Sequence, residues 1–117
     1  MKKINNTEVT EIISASVIYN LIDQTDQIFP QRLTFEVELS KNEIVEGLSF
    51  EEWIEGILGY KLVIPVSKNI PEIVEPLERF FPDRLSVQIP TKDYIAETIY
   101  KILTVLIGEN LKSFKYE

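Results

Sequence analysis

The sequence predicts one α+β domain in which helices cover one face of an antiparallel sheet. Residues 32–40 alternate apolar and polar side chains with period two. Residues 49–59 and 91–108 repeat apolar side chains at helical spacing, each between a capping start and a glycine stop. The 117 residues, 44% apolar and 26% charged, suit a single domain spanning 1–117 with its own core.

The elements follow in order. Residues 7–19 carry Val9, Ile12, Ile13, Val17 and Ile18 among Thr, Ser and Ala, a mixture that favours a strand despite imperfect alternation. Residues 20–30 are polar, end at Pro30 and read as a loop. In residues 32–40, Leu33, Phe35, Val37 and Leu39 alternate with polar neighbours. A strand with that period turns its apolar side chains to one face, as in an antiparallel sheet covered on one side.

Ser49 and Glu52 have capping-box spacing, and Phe50, Trp53, Ile54, Ile57 and Leu58 continue a helix that Gly59 stops. Residues 61–66 predict a short strand that Pro65 confines to an edge or an end. Pro71 opens one or two helical turns over 70–81, and Pro76 interrupts them. Leu85, Val87 and Ile89 alternate as a further strand. Thr91 or Lys92-Asp93 starts the second long helix, whose stripe is Ile95, Ile99, Ile102, Leu103 and Leu106 and whose stop is Gly108. Residues 110–117 return as a strand.

Composition narrows the chemistry. The chain has no histidine and no cysteine, which excludes Ser-His-Asp and Cys-His nucleophiles and the usual zinc ligand sets. Four glycines make no phosphate cradle or dinucleotide fingerprint. A net charge of −7 repels phosphate backbones, so no nucleic-acid partner is expected. No apolar run reaches membrane-span length. Residues 1–8 contain no apolar stretch of the kind a secretory signal needs, so a cytoplasmic setting is expected. Glu43, Glu46, Glu51, Glu52 and Glu55 cluster along the first helix, and Glu72, Glu75 and Glu78 recur every third residue. Solvated faces explain both more simply than a cation does.

The segments together resemble the 6-pyruvoyltetrahydropterin and 6-carboxytetrahydropterin synthases, which have the tunnelling fold. That family's Phe-Ser-Ala-x-His is similar to Ile13-Ser14-Ala15-Ser16-Val17. Its His-Gly-His before an alternating strand is similar to Phe29-Pro30-Gln31 before Arg32-Leu33-Thr34-Phe35-Glu36-Val37. Its Gly-Met-Val-x-Asp-Phe turn resembles Glu46-Gly47-Leu48-Ser49-Phe50, and its Leu-Asp-His-x-x-Leu resembles Leu58-Gly59-Tyr60-Lys61-Leu62-Val63. Its Pro-Thr-x-Glu-Asn-x-Ala resembles Pro90-Thr91-Lys92-Asp93-Tyr94-Ile95-Ala96. Its final strand, ending on a Glu that grips the pterin, resembles Ser113-Phe114-Lys115-Tyr116-Glu117.

The resemblance implies a tunnelling-type fold and a homo-oligomer closed through its sheets. It also implies a pterin- or purine-like ligand at Glu117, Thr91, Gln31 and Tyr60. The departures imply lost catalysis. Val17, Phe29 and Gln31 replace the zinc ligands, and Gly59 and Tyr60 replace the proton-relay Asp and His. No metal, cofactor or catalytic residue is therefore expected, and the chain reads as a non-catalytic binding or assembly module. Two alternatives stand beside it. One is a metal-free pterin enzyme anchored by Glu117 with Lys61 or Lys92 as base, and the other is an unrelated small α+β interaction domain.

Overall fold

The computed structural model describes residues 9–117; the reading of residues 1–8 falls outside them. The fold is α+β: a five-stranded sheet in the order β4-β3-β1-β2-β5, with helices packed against it. β1 (Glu11–Ile22) and β2 (Ile28–Leu39) form a long antiparallel hairpin. α1 (Phe50–Leu58), β3 (Leu62–Pro65), α2 (Pro71–Val74), β4 (Arg84–Val87), α3 (Lys92–Ile107) and β5 (Leu111–Tyr116) follow.

The hairpin overturns the loop expected at 20–30. Only residues 23–27 leave the ladder. The turn is held by Asp23, whose Oδ1 accepts from the Thr25 backbone N–H (2.8 Å), the Thr25 hydroxyl (2.7 Å) and the Gln27 backbone N–H (3.0 Å). Pro30 fits within β2 because of the side its nitrogen faces. Thr34 exchanges backbone bonds with Glu117 beyond β5, so even-numbered β2 residues direct their backbone groups toward β5. Pro30 lies outside that pairing, and no ladder donor is lost there.

The sheet is mixed rather than antiparallel throughout. β1, β2 and β5 pair antiparallel, whereas β3 pairs parallel with both β1 and β4. Leu62, Val63 and Ile64 are all buried. Leu62 and Ile64 face one side of the sheet and Val63 the other, as expected of a strand covered on both sides. Pro65 ends β3, so the proline is tolerated at a terminus rather than on an edge.

The main core lies between the sheet and α1 with α3. It joins Val17, Leu33, Phe35, Val37 and Leu39 to Phe50, Ile54, Ile99 and Leu103. Phe35 sits at its centre, edge-on to Phe50 (ring centroids 5.9 Å apart) and 5.7 Å from Phe114 of β5. Helical cover is not confined to that side. The short α2 and the 3-10 turn Glu75–Leu77 cover Ile22, Leu62 and Ile64 on the opposite face, with Val74 buried there. A parallel β3–β4 pair needs a long crossover, and its apolar side chains seal the end of the sheet they cross.

Helix boundaries have local causes. The Ser49 hydroxyl accepts from the Glu52 N–H (3.3 Å), while the Ser49 N–H donates to Glu52 Oε1 (3.1 Å), a complete capping box. Gly59 stops α1 for steric reasons and not by a left-handed φ. A Cβ there would lie 2.5 Å from the Glu55 carbonyl oxygen, and the positive φ falls on Tyr60 (56°). Thr91 caps α3 by accepting from the Tyr94 N–H at 3.2 Å.

Candidate functional site

The hairpin's two faces separate the expected site residues. Side chains alternate across a strand, so the odd-numbered residues of β1 and β2 face α1 and α3. Val17 is 1% exposed in that core. Gln31 lies opposite the buried Tyr19, and Phe29 opposite Leu21. These are the positions where the resemblance places a metal. Valine and phenylalanine offer no lone pair and Gln31 one neutral oxygen, so this donor set does not fit zinc. Tyr19 is fully buried, and burial raises its phenol pKa.

Glu117 lies on the other face. Its backbone exchanges two 2.9 Å hydrogen bonds with Thr34, and Thr34 is paired to Ser16, whose hydroxyl lies 2.8 Å from the Thr34 hydroxyl. Glu36 is flanked by Ser14 on β1 and Lys115 on β5. An open cleft of about 310 Å³ lies here, lined by the polar Ser14, Thr34, Glu36, Lys115 and Glu117 together with Phe35 and Tyr116. Hydroxyls, one ammonium and two carboxylates thus meet on the face opposite α1 and α3. The cleft can accept hydrogen bonds from a flat polar molecule and donate from Lys115.

The structure does not bring the four expected ligand residues together. Gln31 is three residues along β2 from Thr34, about 10 Å at strand rise, and on the opposite face. Tyr60 is 68% exposed at the far end of α1. Its N–H donates to the Ile18 carbonyl (2.7 Å), and its own carbonyl accepts from Asn20 Nδ2 (3.2 Å). Tyr60 therefore holds a left-handed turn onto β1. Thr91 is occupied as a helix cap. No hydrogen bond or ion pair among the described residues joins any two of the four.

Several of the other charged and phenolic side chains hold structural bonds. Lys61 lies 3.6 Å from Asp83, beside β4 and across the sheet from Glu117. Lys92 is exposed at the first turn of α3. Glu52 belongs to the capping box, and hydrogen bonds from the Ser49 backbone and hydroxyl lower its pKa. Glu43 is likewise lowered, first by Lys41 and then by the Gly47 N–H. Glu51 accepts from Asn42 Nδ2 at 3.0 Å. The Tyr116 hydroxyl donates to Asp93 Oδ1 at 2.8 Å. That bond raises the Tyr116 pKa, with burial adding to it, and it ties β5 to the start of α3.

Sequence reasoning missed Ser14, Glu36 and Lys115 as cleft residues. The signal was present: Ser14, Ser16, Thr34 and Glu36 are the polar half of the alternation that buries Val17 and Leu33.

No family model matches the chain, and no curated protein matches it. Among solved structures it is similar to the crystal structure of uncharacterized protein WS1659 from Wolinella succinogenes. The two share 13% identity over 93% of this chain and 92% of that one, with a TM-score of 0.63. At that identity the likeness concerns the fold alone. Among the described residues, no helix is long and apolar enough to cross a membrane.

Proposed function

We propose that this chain is a non-catalytic relative of the tetrahydropterin synthases, an assembling subunit that holds a flat pterin- or purine-like heterocycle at Glu117. The order of hairpin, α1, α3 and returning β5 supports the kinship, with β3, α2 and the parallel β4 standing between the two long helices. A cytoplasmic setting belongs to the same reading, since a cysteine-free chain needs no oxidising compartment.

The open edge at β5 carries the assembly. Thr34 and Glu117 exchange both of their hydrogen bonds, so the alternate residues Phe114 and Tyr116 direct their backbone N–H and C=O away from β2. Among the described residues β5 is the last strand of the sheet on that side, and it contains no proline. Such an edge takes up a further strand readily. Joining it to β4 at the opposite edge of another copy extends the sheet by a head-to-tail contact, which closes when the rotation permits. The Glu117 carboxylate beside that edge offers two acceptors to adjacent N–H donors of a heterocycle.

Light scattering on Tyr116→Pro and Tyr116→Phe tests the edge. Proline removes an outward donor that β2 does not use, so the proline variant is expected to lose its assembly while remaining folded by circular dichroism. The phenylalanine variant retains it. Assembly unaffected by the proline refutes the edge. Thermal shift with neopterin and guanine tests the ligand, which is expected to stabilise the wild type and not Glu117→Gln. No shift with either compound refutes the ligand reading.

A further inference from the structure

β1, β3 and β4 run parallel, so their carboxyl ends lie at one end of the sheet. The chain leaves the adjacent strands β3 and β4 on opposite faces. After Pro65 it passes to α2, whose Val74 packs with Leu62 and Ile64. After Val87 it passes to α3, whose Ile95 and Ile99 share the main core with Val63. Connections that diverge in this way leave a crevice beyond the carboxyl ends of the strands, and open α/β sheets bind ligands at such a point. The crevice here is open and measures about 350 Å³. Its apolar walls come from all three strand ends: Leu21 and Ile22 from β1, Pro65 from β3, and Pro90 beyond β4.

The polar lining favours a cation. Its charged residues are Asp23 and Lys68. Lys68 Nζ is already committed, donating to Asp26 Oδ1 and the Gln24 carbonyl. Asp23 spends Oδ1 on the hairpin turn, and its Oδ2 accepts no hydrogen bond among the described residues. The turn bonds, that of the Thr25 hydroxyl first, hold the Asp23 carboxyl below the usual carboxylate range, so it is charged at neutral pH. Asp23 is therefore the uncompensated charge of the crevice. The side chains of Gln24, Ser67 and Gln88 also line it and make no hydrogen bond among the described residues, which leaves their oxygens as further acceptors. Lys92 and Asp93, at the start of α3, do not line it. We infer that this crevice binds a small organic cation, a compact primary amine. Its ammonium meets the Asp23 carboxylate and the glutamine oxygens, and its hydrocarbon part lies against Leu21, Pro65 and Pro90. Asp23 is seven residues along the chain from Ser16, about 23 Å at strand rise, so this site is separate from the Glu117 cleft and does not depend on it.

Titration with cyclohexylammonium chloride at constant ionic strength, followed by heteronuclear NMR, tests the site, with cyclohexanol as the uncharged control. The amine is expected to give saturable amide shifts at Gln24, Ser67, Lys68 and Gln88, and cyclohexanol is not. Asp23→Asn keeps an oxygen for the turn but removes the charge, and should weaken binding about tenfold or more. Gln88→Lys, at an exposed position, sets a competing ammonium at the crevice and should weaken binding comparably. Glu117→Gln removes the same charge at the other cleft and should bind the amine as the wild type does. The inference is overturned by an absence of saturable shifts, by equal shifts with cyclohexanol, by undiminished binding in either crevice variant, or by an equal loss in Glu117→Gln.

Discussion

Replacing Phe35 with alanine should remove the contact on which the placement of Glu117 depends. Phe35 is fully buried on β2 and touches both Phe50 of α1 and Phe114 of β5. A buried Phe→Ala change costs about 3–5 kcal/mol once the residual cavity is counted. For a chain of this length that corresponds to a fall in Tm of about 10–20 °C. Phe114→Ala, half-buried and nearer the edge, should cost about 2 kcal/mol. Because the two rings touch, the double variant should fall short of the sum by about 0.5–1.5 kcal/mol. Urea unfolding at constant slope measures all three values. Amide exchange gives the link to the site: Phe114→Ala should speed exchange at Thr34 and Glu117 before the α1 amides change. A Phe35→Ala cost below about 1 kcal/mol would mean that the ring is not in a packed core. Full additivity would mean that β5 is not docked where Glu117 meets Thr34.

Three further outcomes are expected. Ser49→Ala should lower stability by about 1 kcal/mol by removing the hydroxyl half of the capping box, and urea denaturation reads this directly. Tyr60→Gly should leave stability within about 1 kcal/mol of wild type, because relief of the left-handed φ offsets added chain entropy, whereas branched Tyr60→Val should cost more; thermal melts of the two variants decide it. Tyr116 has a folded pKa raised above its unfolded value by the bond to Asp93. Its contribution to stability is therefore full below the unfolded pKa and fades as pH rises through the folded one. Tyr116→Phe should be less stable than wild type at neutral pH, with the difference shrinking above about pH 10, as followed by melts across that range.

Local signals made much of the fold legible. The alternation of Leu33, Phe35, Val37 and Leu39 identified the face of β2 that meets the helices, because burial on one side leaves that pattern directly in the chain. Ser49, Glu52 and Thr91 marked helix starts, because their caps bond within a turn. What escaped depended on partners distant in sequence. Pro30 and Asn20 read as a loop because their tolerance depends on which neighbour β2 faces at that point. Leu62-Val63-Ile64 has no alternation, and only the parallel pairing shows that both faces are covered. The crossover through α2 looked like irregular turns, and its side of the sheet is not encoded in its own spacing. The same holds for the site: Gln31 was read as preceding the strand of residues 32–40 but lies within β2, and its face relative to that of Glu117, just beyond β5, follows from the register that sets Glu117 against Thr34.

That register constrains any ligand shared by these residues. Glu117 belongs to the polar face with Ser14, Ser16 and Thr34, and Gln31 to the face packed beneath the helices. A sheet one layer thick separates them, so a small molecule cannot touch both side chains within one chain. A heterocycle held by Glu117 alone would meet hydroxyls, Lys115 and solvent, which gives orientation but little apolar burial. Among the described residues nothing encloses it, and the nearest backbone groups there that β2 does not use are those of Phe114 and Tyr116 on the edge beside Glu117. Under the proposed function, ligand retention and edge association are therefore one event. A second copy seated on β5 supplies the wall that the cleft lacks, and a variant that loses the edge contact loses the ligand even with its Glu117 carboxylate intact.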